Sequence, residues 1–186
     1  MKIKMLAAAT LIAVTGLASA QSVSLGFAAK ELDAGGQTHI SSFSVKQKLL
    51  ANVSGDVGMS AEQNDSTKAL TNRYELGLTY SQKLVSTVTG DFRVAHGYKI
   101  KSGSDTTTYY SLEPSVTAKI QDTPLSVRVG YRWRNAWESN VADNTETTRL
   151  AVIYDLTAKD KLSLGRDSVR GDAAGNVTSL VYTRAF

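Results

Sequence analysis

Three arginines at even-numbered positions lie close together in one segment of the chain. Arg132 and Arg134 flank Trp133, and Arg128 lies four residues before Arg132. A planar guanidinium group can bind a carboxylate through two parallel hydrogen bonds, so a row of arginines suits negatively charged partners. This segment is the first candidate for an anion-binding surface.

A second candidate is the His-x-Ser pair of His39 and Ser41. Residues i and i+2 of a strand share a face, and a histidine base beside a serine could activate it to attack an ester. No orienting acid is evident in the sequence, so we expect His39 to be an interfacial polar residue rather than part of an enzyme. No Cys, His, Asp and Glu cluster has metal-ligand spacing, and no phosphate loop is present, so no cofactor is predicted.

The elements that must position these residues are strands. Tyr74, Leu76, Leu78 and Tyr80 alternate with polar residues or glycine, and a period of two is that of a strand. Similar alternation predicts ten strands, at about 22–32, 37–47, 52–62, 72–82, 87–98, 108–119, 124–135, 147–156, 161–168 and 175–186. Each is about as long as a tilted strand needs to be to cross a bilayer.

The first twenty residues resemble a secretory signal peptide. Lys2 and Lys4 are followed by a mostly apolar stretch and by Ala18-Ser19-Ala20, a small-x-small cleavage site. The apolar run is too short to favour a transmembrane helix. We therefore expect residues 1–20 to be removed and residues 21–186 to form the barrel. The chain has no cysteine, so export would proceed without disulfides.

The overall charge does not favour a nucleic-acid partner. Without Lys2 and Lys4, 19 of the 21 Lys and Arg residues remain, against 17 Asp and Glu residues. No run of basic residues stands out. A nucleic-acid partner is not expected.

The predicted connections alternate between short turns and longer polar loops. The short ones are 48–51, 83–86, 120–123 and 157–160, and the longer ones are 62–71, 99–107, 136–146 and 169–175. This asymmetry is typical of outer-membrane barrels with short periplasmic turns and longer outer loops. An even number of strands places both termini on one side. Pro114, which falls inside the sixth strand, predicts a local bulge.

The two parities of the strands differ in chemistry. One is apolar, with aromatics towards the strand ends that predict two membrane-interface belts: Tyr74, Tyr80, Tyr98, Tyr110, Tyr131, Trp133, Tyr154 and Phe186. The other holds the charges. The strands of a soluble barrel also alternate between apolar and polar residues, but there the apolar face lies inside. The signal sequence, the aromatic belts and the loop asymmetry favour an all-β, antiparallel, up-and-down transmembrane barrel. Its lumenal candidates are Glu75, Arg93, Glu113, Arg128, Arg132, Arg134 and Arg149.

Charges inside a narrow barrel must pair or meet water. Folding adjacent strands about their turns predicts that Glu75 lies close to Arg93, and that Glu113 lies level with Arg128 and Arg132. The same folding places Arg132, Arg134 and Arg149 close together near the outer mouth, and we expect fewer acidic residues near these three than near the other lumenal arginines. Whether these arginines meet solute or only satisfy carboxylates in a filled lumen stays open, because ten strands lie near the filled end of the size range.

Two resemblances add to this interpretation. The terminal Phe186 is similar to that of bacterial outer-membrane barrels, whose last residue is read by the assembly machinery. The segments 109–116 and 125–134 resemble the oligogalacturonate-specific, KdgM-like porins. That resemblance implies a lumenal track of Arg128, Arg132 and Arg134, with Arg149 beside them, that passes acidic solutes. The family has twelve strands, against the ten predicted here.

These observations lead to three ranked hypotheses. The first is a narrow, porin-like channel of the Gram-negative outer membrane that favours small anionic solutes. The second is a closed barrel with a structural or surface-interaction role. The third is a lipid-modifying hydrolase, because some outer-membrane lipid A deacylases place a His and a Ser as His39 and Ser41 are placed. Expected partners are outer-membrane lipid and lipopolysaccharide, the assembly machinery and small anions.

Overall fold

The computed structural model describes residues 21–103, 106–138, 143–172 and 174–186. Residues 1–20 lie outside this part, so the signal peptide stays a prediction. The ten strands are β1 (Ser22–Leu32), β2 (Gln37–Leu50), β3 (Val53–Asn64), β4 (Leu70–Val85), β5 (Val88–Lys101), β6 (Thr106–Lys119), β7 (Leu125–Ala136), β8 (Thr145–Asp155), β9 (Asp160–Gly171) and β10 (Gly175–Ala185). Within the described ranges, no helix has the length and apolarity needed to span a membrane.

Each strand pairs antiparallel with the next, and β1 pairs with β10 to close the barrel. The closing ladder runs from Ser22 opposite Ala185 to Leu32 opposite Gly175. Closure leaves no strand edge with unpaired N–H and C=O groups, which hydrocarbon would not tolerate. The predicted up-and-down barrel of ten strands is confirmed.

The two ends of the barrel are distinguished by their connections. We call the end near Ser22 and Ala185 the terminal end and the opposite one the loop end. The connections at the terminal end are 51–52, 86–87, 120–124 and 156–159, and those at the loop end are 33–36, 65–69, 102–105, 137–144 and 172–174. Several strands are longer than predicted, and the loops between them are correspondingly shorter. For example, β4 was predicted at 72–82 and spans Leu70–Val85. The connection 137–144 stays the longest.

The bulge expected at Pro114 is not present. Pro114 pairs with Phe92 in the β5–β6 ladder. On the other side, β6–β7 pairing is interrupted, but Leu112 opposite Trp133 and Ser115 opposite Gly130 keep one continuous alignment. Proline lacks the N–H that a ladder bond needs, and the barrel accommodates this loss by a gap in the ladder instead of a register shift.

The distribution of apolar side chains is inverted relative to a soluble protein. Large apolar residues point outwards, as Leu76 does with 64% of its surface exposed. In the described part of the chain, the buried hydrophobic residues are Ala95 and Tyr109, whereas buried polar residues include Thr79 and Thr147. An apolar wall around a polar interior is the arrangement of a transmembrane barrel. The soluble alternative is excluded, because it would place this wall in water.

The predicted belt residues follow this wall. Among them, Tyr80, Tyr98, Trp133, Tyr154 and Phe186 are exposed on its surface. Some of the rings form tilted pairs: the centroids of Tyr131 and Trp133 lie 4.4 Å apart, and those of Tyr110 and Trp137 lie 5.1 Å apart. Trp137 was not among the predicted residues because it follows the end of β7. The role of these rings at a membrane interface stays a prediction.

Barrel closure predicts an anomalous mobility in gels. A closed barrel resists detergent until it is heated, because every strand is hydrogen-bonded to a neighbour on both sides. We expect unheated protein in a detergent gel to migrate differently from boiled protein. Identical mobility in both lanes would count heavily against the closed barrel.

The apolar wall predicts a depth-dependent cost for charge. Leu78→Arg should destabilise the barrel in lipid vesicles by about 2–4 kcal/mol, because arginine near the middle of the bilayer is poorly solvated. The control, Leu84→Arg, changes an equally exposed leucine next to the turn 86–87 and should cost at most about 1 kcal/mol. Unfolding titrations with denaturant would measure both costs. Equal costs would contradict a lipid-facing wall.

Candidate functional site in the lumen

The inward-facing residues of all ten strands line a cavity of about 770 Å³. Its lining runs from Ser22 and Lys161 near the terminal end to Lys30 and Thr145 near the loop end. All seven lumenal candidates from the sequence line it: Glu75, Arg93, Glu113, Arg128, Arg132, Arg134 and Arg149. Their contacts decide which of them a solute could meet.

A chain of ion pairs crosses the middle of the lumen. Arg93 Nη2 lies 2.6 Å from Asp56 Oδ1 and 3.2 Å from Glu75 Oε2. The other carboxylate oxygen of Glu75 accepts hydrogen bonds from Arg132 Nη2 at 3.1 Å and from the Tyr109 hydroxyl at 3.0 Å. We call these five residues the central network. The predicted proximity of Glu75 and Arg93 is present in the structure.

The central network spans the barrel rather than following its wall. Glu75 lies on β4 and Arg132 on β7, and two strands separate them in the sheet. Their contact therefore crosses the interior. Each member is mostly buried, and buried charges are tolerated where they are paired and hydrogen-bonded. The network therefore bridges β4 and β7 across the interior.

Arg149 forms a second cluster. Its Nη1 lies 2.5 Å from Glu113 Oε1, and its Nε lies 3.2 Å from Asp167 Oδ2. The predicted level of Glu113 agrees with the β6–β7 alignment for Arg132, whereas Arg128 lies opposite Thr117. The ion pair of Glu113, however, is with Arg149. Turn lengths relate only adjacent strands, whereas in the curved interior a side chain of β6 reaches one of β8.

A third cluster lies at the loop end. Asp143 Oδ1 accepts hydrogen bonds from Lys99 Nζ at 2.7 Å and from Arg134 Nη2 at 3.1 Å. Arg73 is also there, paired with Glu62. We call Arg73, Lys99, Arg134 and Asp143 the loop-end cluster. Asp143 was missed because it belongs to the connection 137–144, and nothing in its sequence shows that it folds inwards.

The expected shortage of acids around three arginines is therefore wrong. Arg132 contacts Glu75, Arg134 contacts Asp143, and Arg149 contacts Glu113 and a second carboxylate. Glu75 and Glu113 come from non-adjacent strands and Asp143 from a connection, so spacing along hairpins could not reveal them. The second carboxylate of Arg149, that of Asp167, lies directly opposite it on the adjacent β9.

Arg128 is the most accessible of the predicted arginines. Its side chain is 48% exposed, compared with 11% for Arg134. Its Nε donates to Thr117 Oγ1 at 3.0 Å, and its nearest carboxylate, that of Asp91, is 3.6 Å from Nη2. A solute could meet this guanidinium without breaking a short ion pair.

Two glycines provide room for the central network. A Cβ on Gly77 would lie 2.6 Å from both Arg93 Nη2 and Asp56 Oδ2, and one on Gly97 would enter the ring of Tyr109. Sequence reasoning missed Tyr109 and both glycines. A signal did exist: seven of the eight tyrosines lie on the apolar parity, and Tyr109 falls on the polar one.

The His-x-Ser pair lies on the outside of the barrel. His39 Nε2 lies 3.0 Å from Asp65 Oδ2, so an acid that the sequence did not reveal does contact this histidine. Asp65 comes from the connection 65–69, which the β2–β3 pairing brings beside His39. In the described part of the chain, Ser41 makes no hydrogen bond to His39. The pair thus lacks the contact that activates a serine.

The close fit of Tyr109 predicts a cost for filling Gly97. Gly97→Ala should destabilise the barrel by about 1–3 kcal/mol, because the added methyl group overlaps the Tyr109 ring. Gly58→Ala is the matched control, since its Cβ would meet nothing closer than 3.8 Å. Adding Tyr109→Ser to Gly97→Ala should recover part of the loss in a double-mutant cycle. Strictly additive effects would show that the two positions do not touch.

Comparisons with known proteins support the fold alone. No protein-family model and no curated protein sequence matches the chain. A KdgM porin in complex with disordered oligogalacturonate is similar in structure, with a TM-score of 0.51 and 12% identity over 89% of this chain and 99% of that one.

Two further solved structures are similar to the chain. An outer-membrane channel from Pseudomonas putida F1 has a TM-score of 0.54 at 11% identity, over 90% of this chain and 96% of that one. The β domain of the Bordetella autotransporter BrkA reaches 0.54 at 8% identity, over 89% and 98%. These descriptions differ, so the shared barrel fold does not by itself decide a function.

Proposed function

We propose that the protein is a narrow channel of the bacterial outer membrane that favours small anionic solutes. The terminal end would face the periplasm and the loop end the exterior. The observation that carries this proposal is the charge of the lumenal lining. Basic side chains there outnumber acidic ones, and charge inside a barrel tunes its selectivity.

The imbalance is visible residue by residue. The basic lining residues are Lys30, Lys46, Arg73, Arg93, Arg128, Arg132, Arg134, Arg149 and Lys161, and the acidic ones are Asp56, Glu62, Glu75, Asp91, Glu113 and Asp167. The excess of positive charge would draw anions in. The ion pairs that cross the lumen would restrict passage to small solutes.

Arg128 is the side chain best placed to contact such a solute. It lies in the terminal half of the lumen, is half exposed, and is held by Thr117 instead of by a short ion pair. A guanidinium in this state can exchange a weak contact for a solute carboxylate at little cost. The paired arginines of the central network would act as a fixed positive lining.

The alternative is a closed barrel with a structural or surface-interaction role. The central network favours it, because the contact between Glu75 and Arg132 crosses the interior. A hydrolase is less well supported, since Ser41 and His39 lack a mutual hydrogen bond. We therefore do not propose an enzyme.

The outer wall would contact outer-membrane lipid and lipopolysaccharide. Its aromatic rings near both ends suit the two membrane interfaces. The exposed Phe186, which follows β10 on the outward parity, would serve the assembly machinery as its recognition residue. Both partners are part of the proposal.

Conductance in planar bilayers tests the channel. We expect discrete current steps with anion preference, and Arg128→Glu should lower the anion-to-cation permeability ratio by about twofold or more. The control Arg166→Glu makes the same charge change on the outer wall, where Arg166 donates to Thr178 Oγ1. It should leave the ratio unchanged.

Two results would contradict the proposal. A complete absence of current steps would favour the closed barrel. Equal effects of Arg128→Glu and Arg166→Glu would remove Arg128 from the path, because only one of these side chains lies in the lumen.

A further inference from the structure

The loop-end cluster holds a carboxylate in an unusual state. The side chain of Asp143 is only 4% exposed, and both of its donors, Lys99 and Arg134, contact the same oxygen, Oδ1. Its second oxygen is buried and has no hydrogen-bond partner among the described residues. The buried Nε atoms of Arg73 and Arg134 have none there either. Buried polar atoms are normally satisfied, so these three need an explanation.

The charges around Asp143 are also unbalanced. Arg73, Arg134 and Lys30 interact electrostatically with one another and with Asp143, and Lys99 contacts Asp143 directly. The acids at this end that act on these groups are Asp143 itself, Glu62, which pairs with Arg73, and the exposed Asp33, which interacts with Lys30. Buried positive charge without a counter-charge is costly. The cluster therefore has the chemistry of an anion site with more donors than its own carboxylates use.

We propose that the loop-end cluster is a binding site for the carboxylate group of a solute, and that Asp143 is its intramolecular occupant. This rests on the proposed function in one respect: a solute must reach the site through the lumen. A solute carboxylate would take the contacts of Asp143 with Lys99 and Arg134. It would also bring oxygens to donors that Asp143 leaves unused.

Two features make Asp143 the exchangeable member. Lys99, Arg134 and Arg73 are carried by strands, whereas Asp143 lies in the connection 137–144, so replacing its carboxylate breaks no ladder. The guanidinium of Arg134 is also held in place independently of Asp143, since its Cζ lies 5.3 Å from the centre of the Tyr109 ring. The receptor side of the site is thus preorganised.

Chemical rescue tests the site in the full-length mature barrel in detergent. Asp143→Ala should lower the midpoint of thermal unfolding in sodium chloride, because Lys99 and Arg134 lose their counter-charge. Replacing chloride by about 0.2 M sodium acetate at constant ionic strength should restore roughly half of that loss. Acetate should not shift the midpoint of the wild type, whose site is occupied. It should not shift the control Asp33→Ala either, which removes an exposed carboxylate at the same end.

The outcomes separate the site from the channel. An acetate shift in Asp143→Ala no larger than in Asp33→Ala would overturn the site. If Asp143→Ala does not fold, Asp143→Asn is compared in the same way, with Asp122→Asn in an exposed turn as its control. Rescue in a protein that does not conduct would support the site and contradict the channel. Conduction without rescue would support the channel and overturn the site.

Discussion

The pairing of every backbone group is the constraint on which the rest of this structure depends. In hydrocarbon, an unpaired N–H or C=O costs several kcal/mol, so a spanning sheet must close on itself. The ladder between β1 and β10 provides that closure. Once the sheet is closed, strand alternation leaves two surfaces, an apolar one towards lipid and a polar one inside. The fold and the inversion of the core thus share one cause.

Closure also explains the chemistry of the lumen. A narrow interior that receives many charged side chains has little water to solvate them, so they pair. The central network of Asp56, Glu75, Arg93, Tyr109 and Arg132 is the result. The same arginines that would attract an anion are those that the barrel uses to satisfy its own carboxylates. In the proposed channel, anion passage and rigidity would therefore compete for one set of side chains, and Arg128, outside the short pairs, is where that competition would be weakest.

Much of the lumen was predictable because parity is a local property. The assignment of Glu75 and Arg93 to one face needed only their positions in β4 and β5. Their contact followed from the turn between those strands and from the reach of an arginine side chain over four ladder positions. The contacts of Glu113 and Arg132 were not predictable in this way. Their partners lie on second-neighbour or more distant strands, where barrel curvature and tilt decide what meets.

The sequence by itself determined the strands, their number and the side on which each residue lies, because a period of two needs no tertiary information. Only the tertiary structure decided who pairs with whom across the lumen, since those distances depend on how the sheet curves and closes. It also brought Asp143 inwards from a connection and placed Asp65 beside His39. Connections carry no periodic signal, so their side chains find partners only after the barrel has formed around them.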